Sequence, residues 1–345
     1  MSSAGSETQA ELSAVDRERV LAMRNDVFHL ILFPTEQCNF RCKYCYEDFS
    51  VGRMKPEVVE GVKRLVDNRL CDLRRLSVSW FGGEPLLASD VVESISKHIM
   101  AASRDSGLLY TSDMTTNGYM LHEAMLQRLT AAGVRAFQIS LDGPEELHDH
   151  TRVRADGRGS FKRLWENLLA IRASEEDVRV KLRVHLTPDN ISAMPDFLAM
   201  LRDTFLNDPR FSVKLKAVER LGGPGDASMN VLEEEDKSGA ISRLKQIVEM
   251  PDRPELSEFS ACYAARPNSL IVRANGKLGK CTVALSDEEN DLGQLLPDGT
   301  LRYRNDRLRP WLRGWDNGDL SALYCPANGL TMGEPQLLQI GQKAR

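Results

Sequence analysis

Seven cysteines are spread over 345 residues, and three of them fall within "TEQCNFRCKYCYEDF", residues 35–49. Cys38, Cys42 and Cys45 form a C-x3-C-x2-C set. Thiols this close together can bind metal, do redox chemistry or bridge. The N-terminus, "MSSAGSETQAELSAVDRERV", lacks the apolar core of an export signal. The expectation is a cytoplasmic chain whose thiols stay reduced, which favours metal binding or chemistry over disulfides. A structural zinc site takes four protein ligands, usually as two C-x2-C pairs. Three clustered thiolates suit a cuboidal iron–sulfur cluster better, with one iron left open to a small molecule. Half of a zinc site, or a reduced surface loop, is the alternative.

Such a loop needs a frame to hold it. Apolar, β-branched runs at 28–34, 76–81, 108–116, 136–141, 178–187 and 211–218 read as strands. Between them lie stretches with helical period at 56–70, 89–103, 123–133, 160–173 and 193–206. In the first of these, Val58, Val59, Val62, Leu65 and Val66 share one face behind Pro56 in the opening turn. Gly133 is a favoured helix stop, and Ser160 is the expected N-cap of the fourth helix. Six β–α units predict an α/β fold with a parallel sheet covered by helices. If the sheet curls into a barrel, functional residues belong in the loops at the C-terminal strand ends. The cysteines follow the first strand, "GGEP" the second, "TNG" the third and "LDG" the fourth.

The composition excludes some classes. Basic residues number 45 against 50 acidic, a net charge of −5, so bulk electrostatics point to no nucleic-acid partner. No apolar run approaches the ~18 residues of a membrane span. Residues 1–27 read as an arm and short helix, and 28–218 as the core. Residues 219–260 read as a linker and helix, beginning with the Gly-rich, flexible "ERLGGPGDASMN" and including an acidic-start helix at 233–250. Residues 261–330 make a second, smaller module with Cys262, Cys281 and Cys325, and 331–345 a tail. Cys71, beside Leu70 at a helix end, is expected in the core.

C-x3-C-x2-C with Tyr44 before the last cysteine resembles the radical S-adenosylmethionine (SAM) superfamily. That resemblance covers about 28–218 and implies a partial (β/α)6 TIM-like barrel. It also implies a 4Fe–4S cluster on Cys38, Cys42 and Cys45, whose open iron chelates the methionyl end of SAM. In that family one electron from the cluster cleaves a SAM C–S bond, and the resulting 5′-deoxyadenosyl radical abstracts hydrogen from substrate. "FGGEP" (81–85) is similar to the family's SAM-ammonium loop, with carbonyls around Gly82 and Gly83 in contact and Glu84 beside them. The glycines are read as letting backbone approach the ligand. By the same resemblance Thr116, Asn117, Ser140 and Asp142 line the SAM site. "DGPEELHDHTRV" (142–153) resembles a run of the peptide- and sulfatase-modifying branch, with Arg152 placed to pair with the SAM carboxylate. His148 and His150 are read as structural.

The second set reads C-x13-G-x4-C through Gly276, which is similar to the start of a SPASM/twitch accessory module. With three cysteines it resembles the shorter α+β twitch form and its single auxiliary iron–sulfur cluster. The family's closing C-x2-C is "CPAN" here, with Asn328 in the last place. Either Asn328 or another oxygen ligand completes the site, or the fourth iron is open, or the cluster is partial. Three unrelated buried thiols are the alternative.

The branch resembled implies a precursor peptide or protein substrate and a flavodoxin- or ferredoxin-type reductant. With 27 residues before the core, leader recognition is expected from a separate protein or from the accessory module. A twitch-type dehydrogenase of a small-molecule alcohol is the second reading, and a non-catalytic iron–sulfur protein the third. Glu219, Arg220 and Asp226, after the sixth strand, are weak candidates for substrate contact, with Asp226 and Glu219 the candidate catalytic groups.

Overall fold

The computed structural model describes residues 13–223, 225–248 and 260–330. Most of the expected N-terminal arm, the connector at 251–259 and the tail lie outside the described residues. The strands are β1 (Val27–Leu32), β2 (Phe40–Cys42), β3 (Arg75–Trp80), β4 (Leu109–Thr116), β5 (Val134–Leu141), β6 (Arg152–Arg154), β7 (Arg179–Leu186), β8 (Phe211–Ala217), β9 (Ser269–Val272), β10 (Lys277–Gly279), β11 (Gly293–Leu295) and β12 (Leu301–Tyr303). The α-helices are α1 (Ala14–Ala22), α2 (Pro56–Arg69), α3 (Ser89–Ser106), α4 (Glu123–Ala131), α5 (Glu145–Thr151), α6 (Phe161–Ala173), α7 (Met194–Leu201), α8 (Glu234–Val248), α9 (Asn305–Asn317) and α10 (Leu320–Tyr324).

β1, β3, β4, β5, β7 and β8 pair in parallel in that order, the six strands expected of a partial (β/α)6 barrel. The helices bury one apolar face each on the outside of the sheet, as Val58, Val62, Leu65 and Val66 of α2 do. Leu76, Val78, Ile139 and Leu182 meet them from the strands, all fully buried. Each such side chain contributes ~1.5–3 kcal/mol, and this outer layer holds the barrel wall in shape. The alternate residues face the lumen.

The segment after 260 does not stand apart from this wall. β9 pairs in parallel with β1, and β10, β11 and β12 follow antiparallel, so a single ten-stranded sheet runs from β12 to β8. The ion pair of Arg273 with the buried Glu36 adds a tie to the loop before Cys38. Among the described residues no helix is long and apolar enough to cross a membrane.

Three local expectations are corrected. Ser160 occupies the N-cap position of α6, but its hydroxyl donates to the Arg152 carbonyl (3.0 Å). The cap comes from Asp149, whose Oδ1 accepts from the Ser160 and Phe161 amides at 2.7 and 2.8 Å. Cys71 is exposed, because α2 has ended before it and the chain there turns back toward β3. The Gly-rich stretch at 219–230 is docked, not a free loop: a Cβ at Gly223 would run into the Cys45 carbonyl, and one at Gly225 into that of Lys43 (2.7 Å). These glycines let the strap lie on the cysteine loop.

Candidate active site

The cysteine loop leaves β1 and is pinned first by its own backbone. β2 pairs antiparallel with β6, setting Cys42 opposite Arg152, so "CNFRC" and the end of "DGPEELHDHTR" form one small ribbon. The Phe40 amide donates to Cys38 Sγ (3.3 Å), and the Cys45 amide to the Cys42 carbonyl (3.1 Å). Cys38, Cys42 and Cys45 then open onto one cavity of ≈170 Å³. Gly82, Gly83, Thr116, Asn117, Ser140 and Arg152 share its wall.

The glycines of "FGGEP" answer a different need from the one expected. Gly82 has φ +102, and a Cβ on it would strike the Thr35 carbonyl; one on Gly83 would strike that of Gln37. They permit the close approach of the cysteine loop itself. Glu84 is fully buried and does not line the cavity. It accepts from Thr116 Oγ1 (2.7 Å), the Asn117 amide (2.8 Å) and the Leu86 amide (3.0 Å), tying the loop after β3 to the loop after β4. Burial pushes its carboxyl up, and these three donors act against that. Asn117 in turn donates to Asn39 Oδ1 (2.8 Å), inside the cysteine loop.

A second brace stands behind the loop. The Tyr44 hydroxyl donates to Asp142 Oδ1 (2.9 Å), lies 3.0 Å from His185 Nδ1 and accepts from Arg152 Nη1 (2.6 Å). Asp142 is 1% exposed, also takes Thr151 Oγ1 (2.6 Å), and is not in the cavity wall. Although burial opposes it, His185 and Arg152 hold the Asp142 carboxyl well below the usual range. Arg152 is buried and its Nε has no hydrogen-bond partner. His148 receives the Asp142 amide (3.3 Å) and sits 3.2 Å from Ser160 Oγ, whereas His150 meets Lys43 on the surface.

Burial pushes the Cys38 and Cys42 thiols up and that of Cys45 up to about 12. Free thiols here stay protonated, so a cationic centre is what this pocket needs to hold thiolates. Among the described residues no group converges tightly enough for one metal ion. A cubane places each thiolate on a different iron, so its ligands stand wider apart, and the donor set fits it.

Cys262, Cys281 and Cys325 come from a short turn, the end of the β10 hairpin and the end of α10, and they are close enough to influence one another electrostatically. Asn290 Oδ1 accepts from the Lys280 and Cys281 amides (2.7 and 3.0 Å). The Asn328 amide bonds the Cys325 carbonyl (3.1 Å), and Arg313 holds the carbonyls of Pro326 (2.6 Å) and Asn328. Their neighbours Tyr263 and Thr282 line a second cavity, ≈600 Å³, in the barrel lumen. Phe81 and Thr115 are in the walls of both cavities, so the two cavities adjoin.

Glu219 reaches the first cavity's wall, paired to Lys216 (2.6 Å). Asp226 accepts the Gly222 amide (3.0 Å) inside the strap, and Arg220 donates to the Met229 carbonyl (3.0 Å); neither lines the cavity. Sequence reasoning passed over Arg183 and His185, both in the cavity wall. The signal was there: "RVKLRVHL" alternates basic and apolar residues, so every basic one faces the lumen.

The sequence profile of the radical SAM superfamily matches residues 32–201. A GTP 3′,8-cyclase of Microcystis aeruginosa is 28% identical over 289 residues, 79% of this chain and 84% of that protein. A serine-type anaerobic sulfatase-maturating enzyme of Klebsiella aerogenes is 25% identical over 163 residues, 46% of this chain and 40% of that one. In fold, native anSMEcpe with bound AdoMet superposes with a TM-score of 0.66 at 17% identity, over 86% of this chain and 88% of that one. Streptococcus suis SuiB bound to its precursor peptide SuiA gives 0.55 at 14% identity, over 92% and 73%. Residues 32–201 are a radical SAM domain, which works with a 4Fe–4S cluster and S-adenosylmethionine.

Proposed function

We propose that this protein is a radical SAM maturase that removes hydrogen from a peptide or protein substrate held in the barrel lumen. The observation that carries the reading is the pair of adjoining cavities, which share Phe81 and Thr115 and run from Cys38, Cys42 and Cys45 to Tyr263 and Thr282, the neighbours of the second cysteine set. It offers room for a side chain presented to both sites at once. The solved complexes of anSMEcpe with a bound peptide and of SuiB with its precursor peptide support a peptide occupant. The similarity to GTP 3′,8-cyclases, over most of the chain, supports a nucleotide as the second reading.

Cys38, Cys42 and Cys45 would hold the cluster, which when bound supplies the electron for reductive SAM cleavage. Gly82, Gly83, Thr116, Asn117 and Ser140 would line the SAM site. Arg152, with one unpartnered nitrogen, would face the SAM carboxylate. Glu84 and Asp142 act from behind, fixing the loops that carry these groups. Tyr44 locks the cysteine loop to Asp142, His185 and Arg152. Cys262, Cys281 and Cys325 would hold one auxiliary cluster at the far side of the lumen.

The test is anaerobic. Reconstituted, dithionite-reduced protein is given SAM, and 5′-deoxyadenosine is measured for the wild type and Cys42→Ala. Nucleoside from the wild type and none from the variant is the expected result. A cluster-loaded wild type that yields none would falsify the radical assignment.

A further inference from the structure

We infer that the lumen face of β7 and β8 is a docking ladder for an acidic segment of the substrate. On β7, Arg179, Lys181 and Arg183 point into the lumen while Val180, Leu182 and Val184 are buried against the helices. On β8, Lys214 and Lys216 stand on the same side, with Arg183 paired directly across from Lys214 and His185 from Lys216. Like charges side by side on neighbouring strands oppose sheet formation, by up to ~1 kcal/mol a pair. Among the described residues only Lys216 is ion-paired, to Glu219; the side chains of Arg179, Lys181, Arg183 and Lys214 make no hydrogen bond or salt bridge. Arg183 Nε is buried without a partner. Asp113, two strands away on the same wall, accepts from Ser79 Oγ at 2.7 Å and is, among the described residues, the one acid near Lys181, without an ion pair between them.

The ladder also runs against the chain's overall charge of −5, so it is a local feature. Arg179 and Lys181 line the lower cavity, Arg183 and Lys216 the cysteine cavity. From Arg179 to Arg183 the strand advances ~13 Å. One carboxylate or phosphate needs a cation or two. Five cations spread over two strands suit carboxylates repeated along an extended peptide. β8 is the edge of the sheet, so the ladder borders an open side through which such a segment can enter. The inference rests on the proposed function only in taking the lumen as the substrate's place.

The test is binding to the full-length reconstituted protein. A fluorescein-labelled decapeptide of alternating Glu and Ala is compared by anisotropy with its Gln counterpart. The Glu peptide should bind at least ~10-fold tighter at low salt, with the margin shrinking toward ~0.2 M salt. Lys181→Gln/Lys214→Gln should erase the preference; both side chains are exposed, and a thermal melt checks the fold. Lys162→Gln, on the outer face of α6, should keep it. Equal binding of the two peptides, or a preference surviving the double substitution, would overturn the ladder. Displacement by tripolyphosphate at lower concentration than by the Glu peptide would overturn the peptide and point to a phosphate chain. Nucleoside release without any peptide reports on the radical assignment separately. Its failure with peptide binding intact would sink that assignment and leave the ladder standing.

Discussion

Around Cys42, side chains from several elements hold a short loop: Tyr44 reaches Asp142 just after β5, His185 on β7 and Arg152 on β6, and Glu84 locks the neighbouring loops together. Around Cys281 a single amide side chain does most of the holding, since Asn290 takes two backbone amides and donates to the carbonyls of Cys281 and Ala284. The first site's cysteines are neighbours in sequence. Those of the second are brought together by the β9–β10 hairpin, α10 and the turn at Tyr263–Ala265. A site made within one loop needs bracing against the loop's own freedom. A site made from separate elements is as rigid as their packing, and needs less.

Removing one ligand from each site should break the comparison most sharply. Cys42→Ala is expected to abolish nucleoside formation, while Cys281→Ala lowers bound iron but leaves SAM cleavage in the absence of substrate intact. Iron and nucleoside assays read both, and loss of cleavage in Cys281→Ala would show the sites are not independent. Tyr44→Phe comes next. It leaves Arg152 and Asp142 buried without their shared partner, at a cost of about 2–4 kcal/mol by denaturant unfolding. Asn290→Ala should cost less, about 1–3 kcal/mol, since the amides it leaves are uncharged. If Asn290→Ala proves the costlier of the two, the bracing argument is wrong.

The smallest effect concerns pH. His29 lies beside Ser79 Oγ (2.9 Å) and meets Tyr263 edge-on with ring centroids 6.3 Å apart, next to Cys262. Burial lowers its pKa from 6.5 to about 4. The unfolded chain therefore takes up this proton first as pH falls. The stability from keeping His29 neutral is present above pH ~6.5 and is lost on going down toward pH 4. His29→Asn should flatten that part of the stability–pH curve. A slope unchanged in the variant would assign it to other groups.

Much of the barrel was legible because its signals are local. The six strands and their helices appear within a few residues of where apolar period placed them, and the motifs at the strand ends surround one cavity. What was misjudged depended on contacts far along the chain. Glu84 and Asp142 have the chemistry of ligand contacts, yet each is surrounded by donors from other loops and becomes a brace. The strap's glycines looked like flexibility and are there to lie on Cys45. Ser160 has an N-cap's residue type, but Asp149, eleven residues earlier, fills the role.

By itself, then, the sequence determined the βα alternation, the cysteine loop and the placing of the alternate basic residues of β7 on one face, since spacings of two, three and four residues act through the local backbone. Only the tertiary structure decided that β9 joins β1, at His29↔Ser269, and carries the second cysteine set to the lumen. It also decided that Arg183 stands beside Lys214. Pairings over such separations are selected by which surfaces bury together, and no local period records that choice.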